Sequence, residues 1–161
     1  GPDGYIKDGF KLGATVDPTK QVNECKEMNN SASIDSKNEV MIEAPDLTVD
    51  SLSVDDTNCA ATGKVKIDVR LKNAGSATVK KGIPVSFVAE RNGRSFNIAD
   101  KTTSKALMPG ATETFKLDWR VVSQFVNKPF DVVIRVDPDK KVFKCDKVNQ
   151  MSVQAECKVG D

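Results

Sequence analysis

Alternation of apolar and charged side chains is the feature that most restricts the fold of this 161-residue chain. Successive side chains of a β-strand point to opposite faces, so an alternating run predicts a strand with one buried and one solvated face. Three clear runs start at Lys64, Phe115 and Phe130. No long stretch has helical periodicity, and residues 124–128 form at most one turn. The apolar members of the three runs are Val65, Ile67, Val69, Leu71, Phe115, Leu117, Trp119, Val121, Phe130, Val132, Ile134 and Val136.

Weaker runs and turn signals complete the pattern. Residues 47–54 predict a strand with a bulge near Ser51, and residues 85–90 predict another. The pair Asn92-Gly93 is typical of a two-residue hairpin turn leading into a strand over residues 95–99. Short strands at spacings of roughly 10–20 residues predict an all-β fold, an antiparallel sandwich of about seven strands. Further turns are predicted at Asn73-Ala74-Gly75, Pro109-Gly110 and Pro138-Asp139.

An internal repeat defines the domain organisation. Residues 10–34 match residues 130–154 at a constant offset, without a gap. We therefore expect residues 1–43 to hold the closing β-hairpin of a preceding repeat plus a linker, and residues 44–161 to hold a complete domain. The identical pairs are Phe10 and Phe130, Val16 and Val136, Asp17 and Asp137, Pro18 and Pro138, Lys20 and Lys140, Val22 and Val142, Cys25 and Cys145, and Asn29 and Asn149.

Four segments occur in the order seen in CARDB domains, the cell-adhesion-related domains found in bacteria. They read APDLTVDSLSV (44–54), VRLKNAGSATV (69–79), LMPGATETFKLDW (107–119) and VDPDKKVFKCDKVNQ (136–150). The chain thus resembles this family over about 110 residues and again in the N-terminal hairpin. The resemblance implies an immunoglobulin-like β-sandwich with an extra N-terminal hairpin, of a kind usually found in tandem on secreted or cell-surface proteins. It implies no catalytic activity.

The closing hairpin of such domains carries a motif that the two copies keep to different degrees. The N-terminal copy keeps Asp17, Pro18, Val22, Glu24, Glu27, Asn29 and Asn30. The second copy keeps Asp137, Pro138, Val142 and Asn149, but Lys144, Lys147 and Gln150 replace two glutamates and the last asparagine.

Four cysteines and no histidine restrict the chemistry further. An even number of cysteines on a β-module predicts disulfides and an oxidising compartment. The absence of histidine argues against a Cys–His nucleophile pair, the common Cys/His zinc sites and the commonest general base at neutral pH. No Gly-x-Ser-x-Gly, Ser-x-x-Lys or phosphate-loop motif is present, so we expect no enzyme.

The pairing of the cysteines depends on where the last strand returns. Cys145 lies seven residues beyond the turn at Pro138, which predicts that it reaches the level of Phe130 and bonds to Cys59. Cys25 and Cys157 then remain, and a bond between them clamps the N-terminal hairpin to the last strand. Pairing of Cys25 within its own truncated module, and four reduced thiols, are the alternatives.

Candidate ligand sites are weak. Asp137, Asp139 and Asp146 offer oxygen ligands for calcium near a turn, but an EF-hand loop is absent and solvated acids after a turn are the simpler interpretation. Trp119 shares a face with Phe115, which favours a core position over a sugar-binding platform.

Charge excludes other partners. The net charge is +1, so neither nucleic acid nor an anionic membrane is expected as a partner, and no apolar run approaches the ~20 residues of a membrane span. A basic stretch with an acid interspersed is interpreted as a solvated outer face. Its members are Lys64, Lys66, Arg70, Lys72, Lys80 and Lys81.

Two functions fit these observations. The first is an adhesion or spacer repeat in a larger extracellular or cell-surface protein of bacterial or archaeal origin, whose partners are another protein or neighbouring repeats. The second is an assembly or fibre subunit that self-associates, in which the N-terminal hairpin joins another copy by strand addition or domain swapping.

Overall fold

A computed structural model describes residues 11–15, 31–35, 44–143 and 148–160. Nine strands lie in these ranges, with one short α-helix and one short 3-10 helix. In chain order they are β1 (Lys11–Thr15), β2 (Ser31–Asp35), β3 (Leu47–Asp55), α1 (Cys59–Thr62), β4 (Lys64–Asn73), β5 (Pro84–Arg91), β6 (Arg94–Thr102), β7 (Thr112–Arg120), the 3-10 helix (Ser123–Phe125), β8 (Pro129–Val136) and β9 (Asn149–Glu156).

Seven of the strands form two antiparallel sheets that face each other. One sheet has the order β3-β4-β7 and the other the order β6-β5-β8-β9. The predicted immunoglobulin-like sandwich of about seven strands is therefore confirmed. The extra N-terminal hairpin is also present, because β1 pairs with β2 antiparallel from Lys11 opposite Asp35 to Thr15 opposite Ser31. Its origin as part of a preceding repeat stays a prediction.

The core lies between the sheets, where the alternating runs place it. On β4, the four apolar side chains of the run are at most 1% exposed while its lysines face solvent. Burying each such side chain contributes about 1.5–3 kcal/mol. Trp119 is a core residue as predicted, with its ring 5.8 Å from Phe130 and 6.0 Å from Phe125.

Local features follow from particular residues. The bulge in β3 lies between Val49 and Ser51, as predicted. Asn92 and Gly93 both have positive φ, which suits the two-residue hairpin turn between β5 and β6. Helix α1 is a single turn that the periodicity did not predict. It ends at Gly63, whose left-handed conformation lets its N–H donate to the Cys59 carbonyl.

The first and last strands of the sandwich run side by side in the same direction. The Asn149 side-chain amide donates to the Leu47 carbonyl at their starts, and the Glu156 N–H donates to the Asp56 carboxylate at their ends. The sandwich thus has an N-terminal pole, where β3 starts, and a C-terminal pole, where β9 ends. The N-terminal pole comprises Ala44 and residues 73–84, 102–112, 136–143 and 148–149; the C-terminal pole comprises residues 55–64, 91–94, 120–129 and 156–160.

Candidate functional site

Asn73 organises the N-terminal pole. It is fully buried, and its side-chain oxygen accepts the N–H groups of Asp46 and Gly75 at 3.2 and 3.0 Å. Its amide donates to the carbonyls of Ala77 and Leu107 at 2.7 and 2.9 Å. Four backbone groups thus depend on one buried side chain, which joins three separate segments of the chain.

Ala44, where the chain reaches the sandwich, is held at the same pole. Its carbonyl accepts the N–H groups of Ser76 and Ala77, and its own N–H donates to the Ser76 hydroxyl. The backbone of Ala44 passes so close to Gly75 that a side chain at this glycine would collide with it. This close approach is the physical reason for glycine in the Asn-x-Gly turn.

Asp137 forms the third polar anchor of this pole. It is 2% exposed and has a φ of 48°. Its carboxylate accepts the N–H groups of Lys141, Val142 and Phe143 at 3.1, 2.8 and 2.7 Å. The chain after β8 therefore folds into a loop around this carboxylate, and the return strand β9 starts only at Asn149.

This loop accounts for the error in the predicted disulfides. Cys59 bonds to Cys157, with their Cα atoms 5.3 Å apart, so the predicted bonds Cys59–Cys145 and Cys25–Cys157 are wrong. The prediction assumed that the return strand follows directly after Pro138, whereas β9 starts only at Asn149 and carries Cys157 to the C-terminal pole. Cys25 and Cys145 lie outside the described residues.

The end of β9 is fixed at the C-terminal pole by more than the disulfide. Cys157 is fully buried, and its carbonyl accepts the Asn127 N–H at 2.8 Å. Val126 forms a parallel β-bridge with Cys157, and the Asp56 carboxylate accepts a hydrogen bond from the Glu156 N–H at 2.9 Å. The chain therefore leaves the sandwich from a rigid point.

The candidate calcium ligands do not form a site within the described residues. The Asp137 carboxylate is occupied by three backbone N–H groups, Asp139 is exposed, and Asp146 lies outside the described residues. Across the described ranges, no group of three or more His, Cys, Asp or Glu side chains is placed to hold a metal ion.

The other predicted motif residues divide into two groups. In the second copy, Val142 packs against the core and Asn149 bridges to β3. The motif residues of the first copy lie outside the described residues; they are Asp17, Pro18, Val22, Glu24, Glu27, Asn29 and Asn30.

Glu113 is a buried acid that the sequence reasoning missed. It is 8% exposed, and its carboxylate accepts both the N–H and the hydroxyl of Ser104 at about 3 Å. The signal for it is a carboxylate at an inward position of an alternating strand, two residues before Phe115. Its partner shows that it holds the connection between β6 and β7.

A cationic cleft of about 410 Å³ opens at the C-terminal pole. The Arg91 guanidinium is fixed there by donation to the Pro129 carbonyl at 2.9 Å. Within the described part of the chain, neither Arg94 nor Lys128 forms an ion pair, so both cations are free to meet an acidic group. The cleft is lined by Arg91, Asn92, Arg94, Gln124, Phe125 and Lys128.

No helix among the described residues has the length and apolar character of a membrane span.

Comparison with known proteins gives one family. The CARDB family model matches residues 44–154, and CARDB is a family of non-catalytic modules. No curated protein shows a significant sequence match.

Among solved structures, the chain is similar to a CARDB domain from Pyrococcus furiosus that was solved in complex with di-metal ions. The identity is 19% and the TM-score 0.56, over 74% of this chain and 99% of that domain. It is also similar to β-glucosidase 3B from Thermotoga neapolitana, with 14% identity and a TM-score of 0.43 over 68% of this chain and 16% of that enzyme. An archaellum periplasmic stator protein from Sulfolobus acidocaldarius has 15% identity and a TM-score of 0.39, over 69% of this chain and 99% of that protein. The similarity to the CARDB domain from Pyrococcus furiosus shows that the two share a fold.

Proposed function

Since the chain belongs to the CARDB family of non-catalytic modules, we propose that it is a spacer repeat with an adhesive surface in a larger extracellular or cell-surface protein. The observation that carries this proposal is that the chain reaches the sandwich at one pole, at Ala44, and leaves it at the other, after Cys157. A module with its connections at opposite poles adds its full length to an array.

The length per module follows from the strands. The nine-residue strand β3 runs from pole to pole and spans about 30 Å. Both connections are also rigid, because Ala44 is held by three hydrogen bonds and Cys157 by a disulfide. Each repeat would therefore extend an array by about 30 Å plus its linker.

The N-terminal hairpin supports an array of such repeats. β1 and β2 start at Lys11 and Ser31, and β8 and β9 start at Pro129 and Asn149, which is the same separation in sequence. Residues 1–43 would then be the end of the preceding sandwich and the linker into this one. The disulfide supports an oxidising compartment for the array.

Small-angle X-ray scattering tests the spacer proposal. We would compare proteins carrying one, two and three consecutive copies of residues 36–161. The maximum dimension should rise by about 35–45 Å with each copy, since the connections lie at opposite poles. If the maximum dimension instead rises only as much as it would in a compact cluster of modules, the proposal is contradicted.

The cationic cleft supports the adhesive part of the proposal. Arg94 and Lys128 have no acidic partner in the described chain, and the buried ring of Phe125 gives the cleft no exposed aromatic platform for a sugar. An acidic protein segment is the partner whose charge fits. Binding of a poly-glutamate peptide, measured by calorimetry, should be lost in Arg94→Ala/Lys128→Ala and kept in the control Lys80→Ala/Lys81→Ala.

Assembly through a sheet edge is the second candidate function. Among the described strands, β6 pairs only with β5, so nine residues of its outer edge are open to strand addition. Size-exclusion chromatography with light scattering distinguishes the two functions. Concentration-dependent dimers or fibres favour assembly, and a monomer at high concentration favours the spacer.

A further inference from the structure

We infer that the Cys59–Cys157 bond makes this module a length-limited mechanical tether, which transmits tension while lengthening very little. The inference rests on the proposed spacer function, because only a module connected at both poles carries tension between them. The inference adds a mechanical property to the spacer, and this property follows from where the disulfide lies relative to the strands.

The bond removes most of the sandwich from the path of the tension. Cys59 and Cys157 are 98 residues apart in sequence. Six of the seven sandwich strands, β4 to β9, lie between them, and only β3 lies outside. Tension applied at Ala44 and at the C-terminal side of Cys157 therefore runs along β3, reaches Cys59 and crosses directly to Cys157.

The segment that carries the tension is already extended. About 15 residues separate Ala44 from Cys59, and their fully extended length is at most about 50 Å. Strand β3 already spans about 30 Å of this distance in the folded state. Complete detachment of β3 therefore lengthens the oxidised module by no more than about 20 Å.

Detachment of β3 is itself resisted along its whole length. At its start, Ala44 and Asp46 are tied to the Asn73 turn and Leu47 to Asn149. Along its course β3 pairs with β4 from Leu47 to Asp55. The ladder hydrogen bonds lie across the direction of tension and are loaded in shear, together rather than one after another.

Without the bond, the same tension acts on the whole sandwich. About 110 residues then separate the two points of attachment, with a fully extended length of about 400 Å. Unfolding would lengthen the module by roughly 350 Å, more than ten times the oxidised value. Both cysteines are fully buried, so the folded sandwich itself shields the bond from reductants.

Single-molecule force spectroscopy on the full chain, with handles at its two termini, tests the inference. Cys25→Ser and Cys145→Ser are present in every protein, so that Cys59 and Cys157 are the only cysteines. One protein keeps the bond and the other carries Cys59→Ala/Cys157→Ala. Residues 1–43 extend equally in both and cancel in the comparison.

We expect unfolding of the sandwich to add about 20 Å or less in the bonded protein and about 350 Å in the variant. Should the variant fail to fold, its total contour length still exceeds that of the bonded protein by the 98-residue loop, about 340 Å. Equal lengths in the two proteins would overturn the inference. The scattering series tests the spacer geometry without tension, and force spectroscopy tests the tether. The two experiments can therefore contradict either proposal separately.

Discussion

The two poles of the sandwich are held together by different chemistry. At the N-terminal pole, the buried polar side chains Asn73 and Asp137 bind backbone groups of neighbouring loops. At the C-terminal pole, a disulfide joins Cys59 to Cys157, and the ring of Trp119 packs on aromatic neighbours. The N-terminal pole thus has buried polar side chains as its anchors, whereas the C-terminal pole adds a covalent bond and aromatic packing to its hydrogen bonds.

The two poles also differ in how they relate to the family match. The turn signatures shared with CARDB domains, Asn73-Ala74-Gly75 and Asp137-Pro138, both act at the N-terminal pole. The family match ends at residue 154, before Cys157. The covalent bond at the C-terminal pole therefore includes a residue that lies beyond the family match.

Removal of the disulfide should have the largest effect. In Cys59→Ala/Cys157→Ala we expect the free energy of unfolding to fall by about 4–5 kcal/mol, because the bond closes a loop of 98 residues in the unfolded chain. Urea denaturation followed by tryptophan fluorescence measures the loss. The two single alanine variants should each lose nearly as much as the double variant; additive losses would contradict a shared bond.

Asn73→Ala should come next. The substitution leaves four backbone groups at the N-terminal pole without their partner, and we expect a loss of about 3 kcal/mol. The control Asn97→Ala, on the exposed face of β6, should change stability by less than about 0.5 kcal/mol. Similar losses in the two variants would show that the polar anchor is not what holds this pole.

Asp137→Ala should cost somewhat less, about 2 kcal/mol, because water reaches part of the loop that the carboxylate organises. Asp137→Asn keeps an acceptor and tolerates the positive φ, so its loss should be smaller. Asp139→Ala is the matched exposed control. Hydrogen exchange of the Val142 and Phe143 amides should quicken in Asp137→Ala only, and unchanged exchange there would argue against this anchor.

The sequence predicted the strands of the sandwich better than it predicted the contacts that hold the two poles. Alternation located β4 and β7 because each has one buried face, and it located β8 although Val133, on the other face of that strand, is also buried. It could not place β9 in register, since the alternation does not reveal that the Asp137 carboxylate binds three N–H groups further on or that the return strand starts only at Asn149. The role of Asn73 was equally hidden, because its partners come from segments far apart in sequence.

The smallest effect concerns pH at the C-terminal pole. Hydrogen bonds from the Thr57 hydroxyl and backbone N–H lower the pKa of the Asp55 carboxyl. A lowered pKa stabilises the folded state above the pKa of the unfolded chain, and this contribution is lost as pH falls through the folded-state pKa. Thr57→Val should raise the pKa of Asp55 towards its ordinary value, as followed by NMR titration. An unchanged titration would contradict the assigned cause.

The central claim, that one covalent bond closes the sandwich at its C-terminal pole, is tested most directly by peptide mapping without reduction. Cleavage after lysine and arginine places the four cysteines on separate peptides, residues 21–26, 38–64, 145–147 and 148–158. We predict that peptide 38–64 is recovered joined to peptide 148–158. Recovery of peptide 38–64 joined to peptide 145–147 or 21–26, or with Cys59 as a free thiol, would contradict the account.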